Sequence, residues 1–248
     1  MKAIAVERGG DGPVVVDVER PTPGPEEALV RTLRVGVDGT DGEVIAGHHG
    51  GFPPDSDRLI LGHEAVGVVE QAGDTHFSPG DVVAPTVRRP PGESNEYFER
   101  GEPDMAPSGA YYERGIEGAD GYMAEYFTSP GEDLVSVPPS LAGLGFLVEP
   151  LSIADKALEL AYASRSSFEW DPESAVVLGN GSLGLLTLAY LRERHEYDRL
   201  YCLGRRDRPD PTIDIIEELG ATYIDSRETP IAEIPAAYES MDLVFEAT

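Results

Sequence analysis

The sequence predicts an α/β protein in two parts, a β-rich first part and a second part built on a doubly wound parallel sheet. Three observations predict it. Short Val-rich segments broken by Gly and Pro fill the chain up to about residue 140. Beyond that point strand-type and helix-type segments alternate, the order of a parallel sheet with crossover helices. A glycine pattern follows one of those strands and opens the next helix. The expected domains are 1–150 and 151–248.

In the first part, "KAIAVE", "VVVDVE", "EALVRTLRVGV", "EAVGVVEQAG", "DVVAPTV" and "LVSVP" read as strands, because β-branched residues alternate or run together between turn clusters. The stretch "RRPPGESNEYFERGEPDMAPSGAYYERGIEGADG" has no period and is expected to be a long loop or lobe, the kind of segment that carries function. "LGFLVEPLSIADKALELAYASR" has apolar residues at helical spacing. "SAVVLGN" reads as a buried parallel-type strand, and "SLGLLTLAYLRERH" as a helix whose basic end suits its dipole. "RLYCLG", "ATYID" and "MDLVFEAT" supply three more strands, with the helix "PTIDIIEELG" closed by Gly220. A complete dinucleotide-binding sheet has two halves. One half plus one strand is expected here, truncated after the fourth strand, so the chain reads as a piece of a longer protein.

Charge excludes several functions. The 248 residues carry 46 Asp and Glu against 19 Lys and Arg, a formal net charge of −27. Such a field repels nucleic-acid phosphates. Lys2 and Lys156 are the only lysines. The acids are spread through folded-looking sequence, not gathered into a tail, which points to a halophile: molar salt shortens the Debye length to about 3 Å and screens the self-repulsion. No run reaches the roughly 20 apolar residues of a membrane span, and the start lacks a signal peptide. One cysteine, Cys202, excludes an internal disulfide and reads as inert core. A cytoplasmic protein without membrane or nucleic-acid partners is expected.

The motif "VVLGNGSLGLL" is the main chemical signal. Gly179 permits a tight turn, Gly181 lets backbone approach a pyrophosphate, and Gly184 lets the helix pack closely on the strand. With Asn180, Ser182 and Leu183 between them, they place phosphates on a helix N-terminus, as in a Rossmann domain. An NAD site would put an acid at the end of the second strand. "CLGRRDR" puts Gly204, Arg205 and Arg206 there, and two guanidiniums suit a 2′-phosphate. NADP is therefore expected over NAD, with Asp207 as a competitor and a solvated turn as the plain alternative.

Two further motifs admit more than one reading. Asp38 in "RVGVDGTDG" is by itself a turn residue, since Asp and Gly form turns most readily. His63 in "LGHEAVGVVE" is structural or metal-binding, and Glu149 before Pro150 is a helix-start residue or a ligand. His48, His49, His76 and His195 have no ligand spacing.

The order "GxDGTD", "GHExxGxV", "GDVV", "GADGYMAEY", the "EP" pair and the glycine motif resembles the medium-chain zinc-dependent alcohol dehydrogenases along essentially the whole chain. "YxERGI", "GHEA" and the "RR" turn make the likeness greatest to the archaeal glucose dehydrogenases of that family. The resemblance implies a GroES-like catalytic domain before the Rossmann domain. It implies a catalytic zinc held by Asp38 (where relatives have Cys), His63 and Glu149, with Glu64 beside it either supporting the ligands from behind or as an interchangeable ligand. Carboxylate oxygen and imidazole nitrogen are sound zinc donors. Thr40 would bind the substrate oxygen and start a proton relay, whose later His is replaced by Glu43. Glu113 would contact the sugar, or be one more surface acid. "GESNEYFERGEPDMAPSG" has no cysteines, so the structural zinc of many relatives is not expected.

The expected reaction is oxidation of an aldose, D-glucose first, at C1 to the aldonolactone, with hydride transfer to NADP. The alternatives are a zinc dehydrogenase of another sugar, polyol or secondary alcohol, and a catalytically silent NADP sensor. A homo-oligomer, dimer or tetramer, is expected when full length.

Overall fold

A computed structural model describes residues 1–167, 169–195, 197–238 and 240–248. It divides into two compact units, Met1–Glu149 and Pro150–Thr248. In chain order the first unit contains β1 (Lys2–Glu7), β2 (Val14–Asp17), β3 (Glu27–Val35), α1 (Gly39–Ala46), β4 (Arg58–Ile60), β5 (Ala65–Gln71) and β6 (Val82–Pro85). There follow β7 (Arg88–Arg89), α2 (Glu96–Glu99), β8 (Tyr112–Arg114), β9 (Gly118–Ala119), β10 (Tyr126–Pro130) and β11 (Leu134–Ser136).

The central sheet has the order β10-β3-β5-β6-β11 and is antiparallel throughout. Strand β5 lies at its centre. Ala65 and Val69 feed one apolar cluster with Val30, Val83, Tyr122 and Phe127. Val66 and Val68 feed another with Val82, Ala84 and Val137. Both faces of β5 are therefore covered, which is why its sequence is almost continuously apolar. A second sheet, β2-β1-β4, joins the N-terminus to the segment that leads into "GHE". The aperiodic lobe, expected to be loop, includes a small sheet β7-β8-β9 and the single turn α2. Its strands are two or three residues long, too short to show a period.

The second unit opens with α3 (Val148–Arg165), whose first two residues belong to the first unit, followed by β12 (Ser174–Leu178), α4 (Ser182–Arg194) and β13 (Arg199–Gly204). Then come α5 (Pro211–Glu218), β14 (Thr222–Asp225), α6 (Ile234–Tyr238) and β15 (Leu243–Glu246). The sheet is parallel with order β14-β13-β12-β15, so the chain crosses from one side of β12 to the other before its fourth strand. Ala175 and Val177 point into a core with Leu188, Leu191 and Ile216, and Val176 points into one with Leu203, Ile224 and Ile234. Burial on both faces is what a doubly wound sheet requires. Helix α4 buries Gly184, Thr187, Leu188 and Leu191, the i, i+3, i+4, i+7 stripe of an amphipathic helix. Cys202 is fully buried and its thiol is pushed up to about 12 by burial, consistent with inert core.

One close approach in the first unit fixes the segment that carries "GHE". A Cβ on Gly121 would lie 2.3 Å from the Gly62 carbonyl oxygen and 2.5 Å from that of Leu61. Neither backbone group can move aside, because the Leu61 and Gly62 carbonyls accept from the Met123 and Tyr122 amides. Gly121→Ala is expected to lower stability by about 1–3 kcal/mol through overpacking, read as a fall in the denaturant midpoint at constant slope.

Candidate active site

Strand β3 ends beside β5, and its chain runs through Gly36 and Val37 to Asp38, the N-cap of α1. The Asp38 Oδ1 accepts from the Asp41 amide at 3.1 Å, while the Asp38 amide donates to Asp41 Oδ2 at 3.2 Å. This reciprocal capping box satisfies two backbone donors at the helix start. The other oxygen, Oδ2, accepts from the Thr40 hydroxyl at 2.9 Å and lies 3.7 Å from His63 Nε2. The turn and ligand readings of Asp38 therefore use different atoms of one carboxylate.

His63 lies between β4 and β5 and is 4% exposed. Its Nδ1 is buried with no hydrogen-bond partner, and the nearest carboxylate oxygen is Asp41 Oδ1 at 3.9 Å, equally orphaned. Glu64 is 8% exposed. Its place depends on Gly36, where a Cβ would stand 2.0 Å from Glu64 Oε2. Asp38, His63 and Glu64 each offer a donor atom within 4.8 Å of the others. Glu149, in the first turn of α3, is not in that set, and it acts on the cluster through its charge.

Four carboxyl groups around one imidazole shift each other's protonation. Burial pushes Asp38 up, but His63, the Asp41 amide and Thr40 outweigh it and hold the carboxyl at about 2. Burial pushes Glu64 up to about 7, with the Asp38 charge adding to it. Glu149 and Asp41 are also raised, chiefly by burial. Burial lowers the His63 imidazole, and the negative charge of Asp38 more than reverses it.

This donor set fits zinc. It offers one imidazole and hard carboxylate oxygens, and 3.7 Å between His63 Nε2 and Asp38 Oδ2 is too long for a hydrogen bond. It is near the ~3.3 Å edge of a tetrahedron with ~2.0–2.1 Å metal bonds. A cation would also neutralise the excess of buried acid.

Sequence reasoning missed Asp41, 2% exposed, which backs His63 as a second carboxylate. The D-x-x-D spacing of a capping box was the available signal. Glu113 is no surface acid: its side chain is 16% exposed and pairs with Arg88 at 3.1 Å. Arg88 in turn stacks on Tyr111 and donates to the Pro103 carbonyl. Glu43, at the expected relay position, lies 3.2 Å from His48 Nδ1, and both are exposed.

In the second unit the three glycines divide the work as the motif predicts. Gly179 has φ 111°, and a Cβ there would meet the Ala247 carbonyl at 2.4 Å. A Cβ on Gly184 would meet the Gly179 carbonyl at 2.0 Å, so helix and turn touch. Around Gly181, the N-cap of α4, the space is open. Ser182 is exposed and Leu183 half-buried. Asn180 is 8% exposed, and its side chain donates to Thr212 Oγ1 at 2.8 Å, tying this loop to the start of α5. Gly204 is buried against Asn180, whereas Arg205 and Arg206 are exposed. The expected competitor, Asp207, is engaged by Arg227 at 2.7 Å.

Residues 24–139 match the alcohol dehydrogenase GroES-like domain, and residues 142–248 match the glucose dehydrogenase C-terminus. The glucose 1-dehydrogenase of Haloferax mediterranei is 68% identical over 250 residues, covering all of this chain and 70% of that protein. The chain belongs to the glucose 1-dehydrogenase family. A second family member, from Haloarcula marismortui, is 67% identical with the same coverage. The Haloferax mediterranei enzyme solved with NADP, Zn and gluconolactone matches with TM-score 0.96 over all of this chain and 70% of that one. The GroES-like and Rossmann-like architecture expected from the sequence is thus the family's. The halophilic reading of the charge fits relatives from salt-loving genera.

The pKa values of His63, Glu64 and Glu149 are raised, so a metal bound at this cluster would compete with protons. Zinc affinity of the metal-free protein should therefore fall about tenfold or more from about pH 8 to about pH 6. Competition against a chromophoric chelator measures it, and pH-independent uptake would contradict the assignment.

Proposed function

We propose that this chain oxidises D-glucose at C1 to gluconolactone, with zinc at the first unit's cluster and NADP on the second unit's glycine turn. The observation that carries the reading is the likeness, along the whole chain, to an enzyme solved with NADP, Zn and gluconolactone. Met1–Glu149 serves as the zinc-containing catalytic domain and Pro150–Thr248 as the nucleotide-binding domain.

Asp38 Oδ2 and His63 Nε2 hold the metal, with Glu64 and Glu149 as the further carboxylates. Bound zinc supplies a Lewis acid that lowers the pKa of a hydroxyl. NADP supplies the hydride acceptor. The chain's own residues orient the sugar and manage its proton. The Thr40 hydroxyl donates to Asp38, so a lone pair stays free to take the proton of the sugar's C1 hydroxyl while its own proton passes along that bond to Asp38. Asp41 Oδ1 lies 3.9 Å behind His63 Nδ1, and its charge favours a proton on that nitrogen, leaving Nε2 toward the metal. Glu113, oriented by Arg88, offers carboxylate oxygens to sugar hydroxyls; a pocket that pairs each hydroxyl rejects molecules lacking them.

On the nucleotide side, the backbone at Gly179, Asn180, Gly181 and Ser182 receives the pyrophosphate, close to Leu183 and Gly184. Support comes from the open space at Gly181 and the free start of α4. Arg205 and Arg206, after Gly204, receive the 2′-phosphate. Among the described residues no helix is long and apolar enough to cross a membrane. The proposal includes a cytoplasmic location and a homo-oligomeric full-length protein.

NADPH formation from D-glucose in molar KCl tests the proposal. The rate should vanish with EDTA and return with zinc. Thr40→Ala should lower kcat about 10²–10⁴-fold as a lost proton-transfer group, with zinc content unchanged. A rate indifferent to EDTA in metal-free protein would sink the zinc reading, and turnover of other alcohols alone would sink the glucose assignment.

A further inference from the structure

The turn after β13 is crowded with charge, and nearly all of it is already engaged. Arg208 is held by both oxygens of Glu217. Asp210 caps α5 and accepts from the Thr212 amide and hydroxyl. Asp207 accepts from Arg227 through both oxygens, at 2.7 and 3.2 Å. The same guanidinium donates to Asp225 Oδ1 at 2.9 Å, and the Asp225 carboxylate also accepts the Arg227 amide. Among the described residues, the Arg205 and Arg206 guanidiniums have no such partner.

Sheet register explains why this matters. Gly204 at the end of β13 lies opposite Asp225 at the end of β14, and the Ser226 amide donates to the Gly204 carbonyl at 2.9 Å. Asp225 therefore flanks the start of the arginine pair, and Asp207 follows directly in the chain. The Tyr223 hydroxyl accepts the Arg206 amide at 2.8 Å and donates to its carbonyl at 3.0 Å, which fixes the backbone of the turn. With the backbone fixed, what the two guanidiniums bind is decided by which anions near them are free.

We propose that Arg227 sets the nucleotide preference of this turn by holding Asp207 and Asp225 away from Arg205 and Arg206. It rests on the NADP reading above. Arg227 is not itself a 2′-phosphate ligand, since its fork is filled by two carboxylates. Without it, Asp207 and Asp225 lose their partner, while Arg205 and Arg206 adjoin Asp207 in the chain and follow Gly204, which lies opposite Asp225. Pairs between these acids and arginines would compete with a 2′-phosphate, and a bare carboxylate at this strand end is the group that binds a 2′-hydroxyl. Arg227 is thus a positioning residue, and its loss changes selectivity, not overall nucleotide affinity.

Calorimetric titration of the full chain in molar KCl, with adenosine 2′,5′-bisphosphate and with 5′-AMP, tests this. Arg227→Gln should weaken the bisphosphate about tenfold, the scale of a charge-assisted contact, and leave 5′-AMP unchanged or tighter. Adding Asp207→Asn should restore part of the loss. Equal weakening of both ligands, or an unchanged ratio, would overturn the proposal while the NADP reading stands. A wild-type chain with no preference for the 2′-phosphate would overturn both.

Discussion

The first unit depends on one electrostatic constraint: Asp38, Asp41, Glu64 and Glu149 are gathered around the single imidazole of His63. Taking the Asp41 and Glu64 carboxylates out of water is costly, and burial raises the pKa of both. A divalent cation such as zinc would resolve it more completely, because one ion neutralises two carboxylates and satisfies the imidazole nitrogen at once. The close packing at Gly36, Gly62 and Gly121 makes sense in that light. It holds two chain ends so that donors from separate elements meet, and no flexible loop could do that as well.

The second unit obeys a different constraint. Its sheet is covered on both faces, so chemistry is confined to the ends of the strands, where backbone emerges and α4 begins. Asn180, Thr212 and Tyr223 make those ends rigid by hydrogen-bonding one loop to the next. The turn after β13 is thus tied down by hydrogen bonds and ion pairs and carries two exposed arginines.

Much of this was legible in the sequence, for identifiable reasons. The parallel strands read as apolar runs and α4 as a 3.6-residue stripe because both are buried against large neighbours. Helix α1 was not legible: "GTDGEVIA" contains two glycines and starts by capping, not by periodicity. The Asp38 question looked like a choice because sequence does not separate the two oxygens of a carboxylate. Asp41, Tyr223 and Arg227 were missed for a common reason. Their significance lies in partners at other chain positions, and in a chain with 46 acids one more Asp draws no notice. Glu149 was reached only through family likeness, since a Glu before Pro at a helix start is ordinary.

The exposed arginine pair on a body of net charge −27 has a kinetic consequence. A dinucleotide phosphate is itself strongly anionic, so at low ionic strength the protein repels the nucleotide proposed for this turn. Molar salt removes the long-range repulsion while leaving contacts within the ~3 Å screening distance. Encounter between chain and nucleotide therefore speeds up as salt is added, opposite in sign to the usual capture of phosphates by a basic surface. Brine acts here as the condition that opens the door to the cofactor, quite apart from keeping the fold compact.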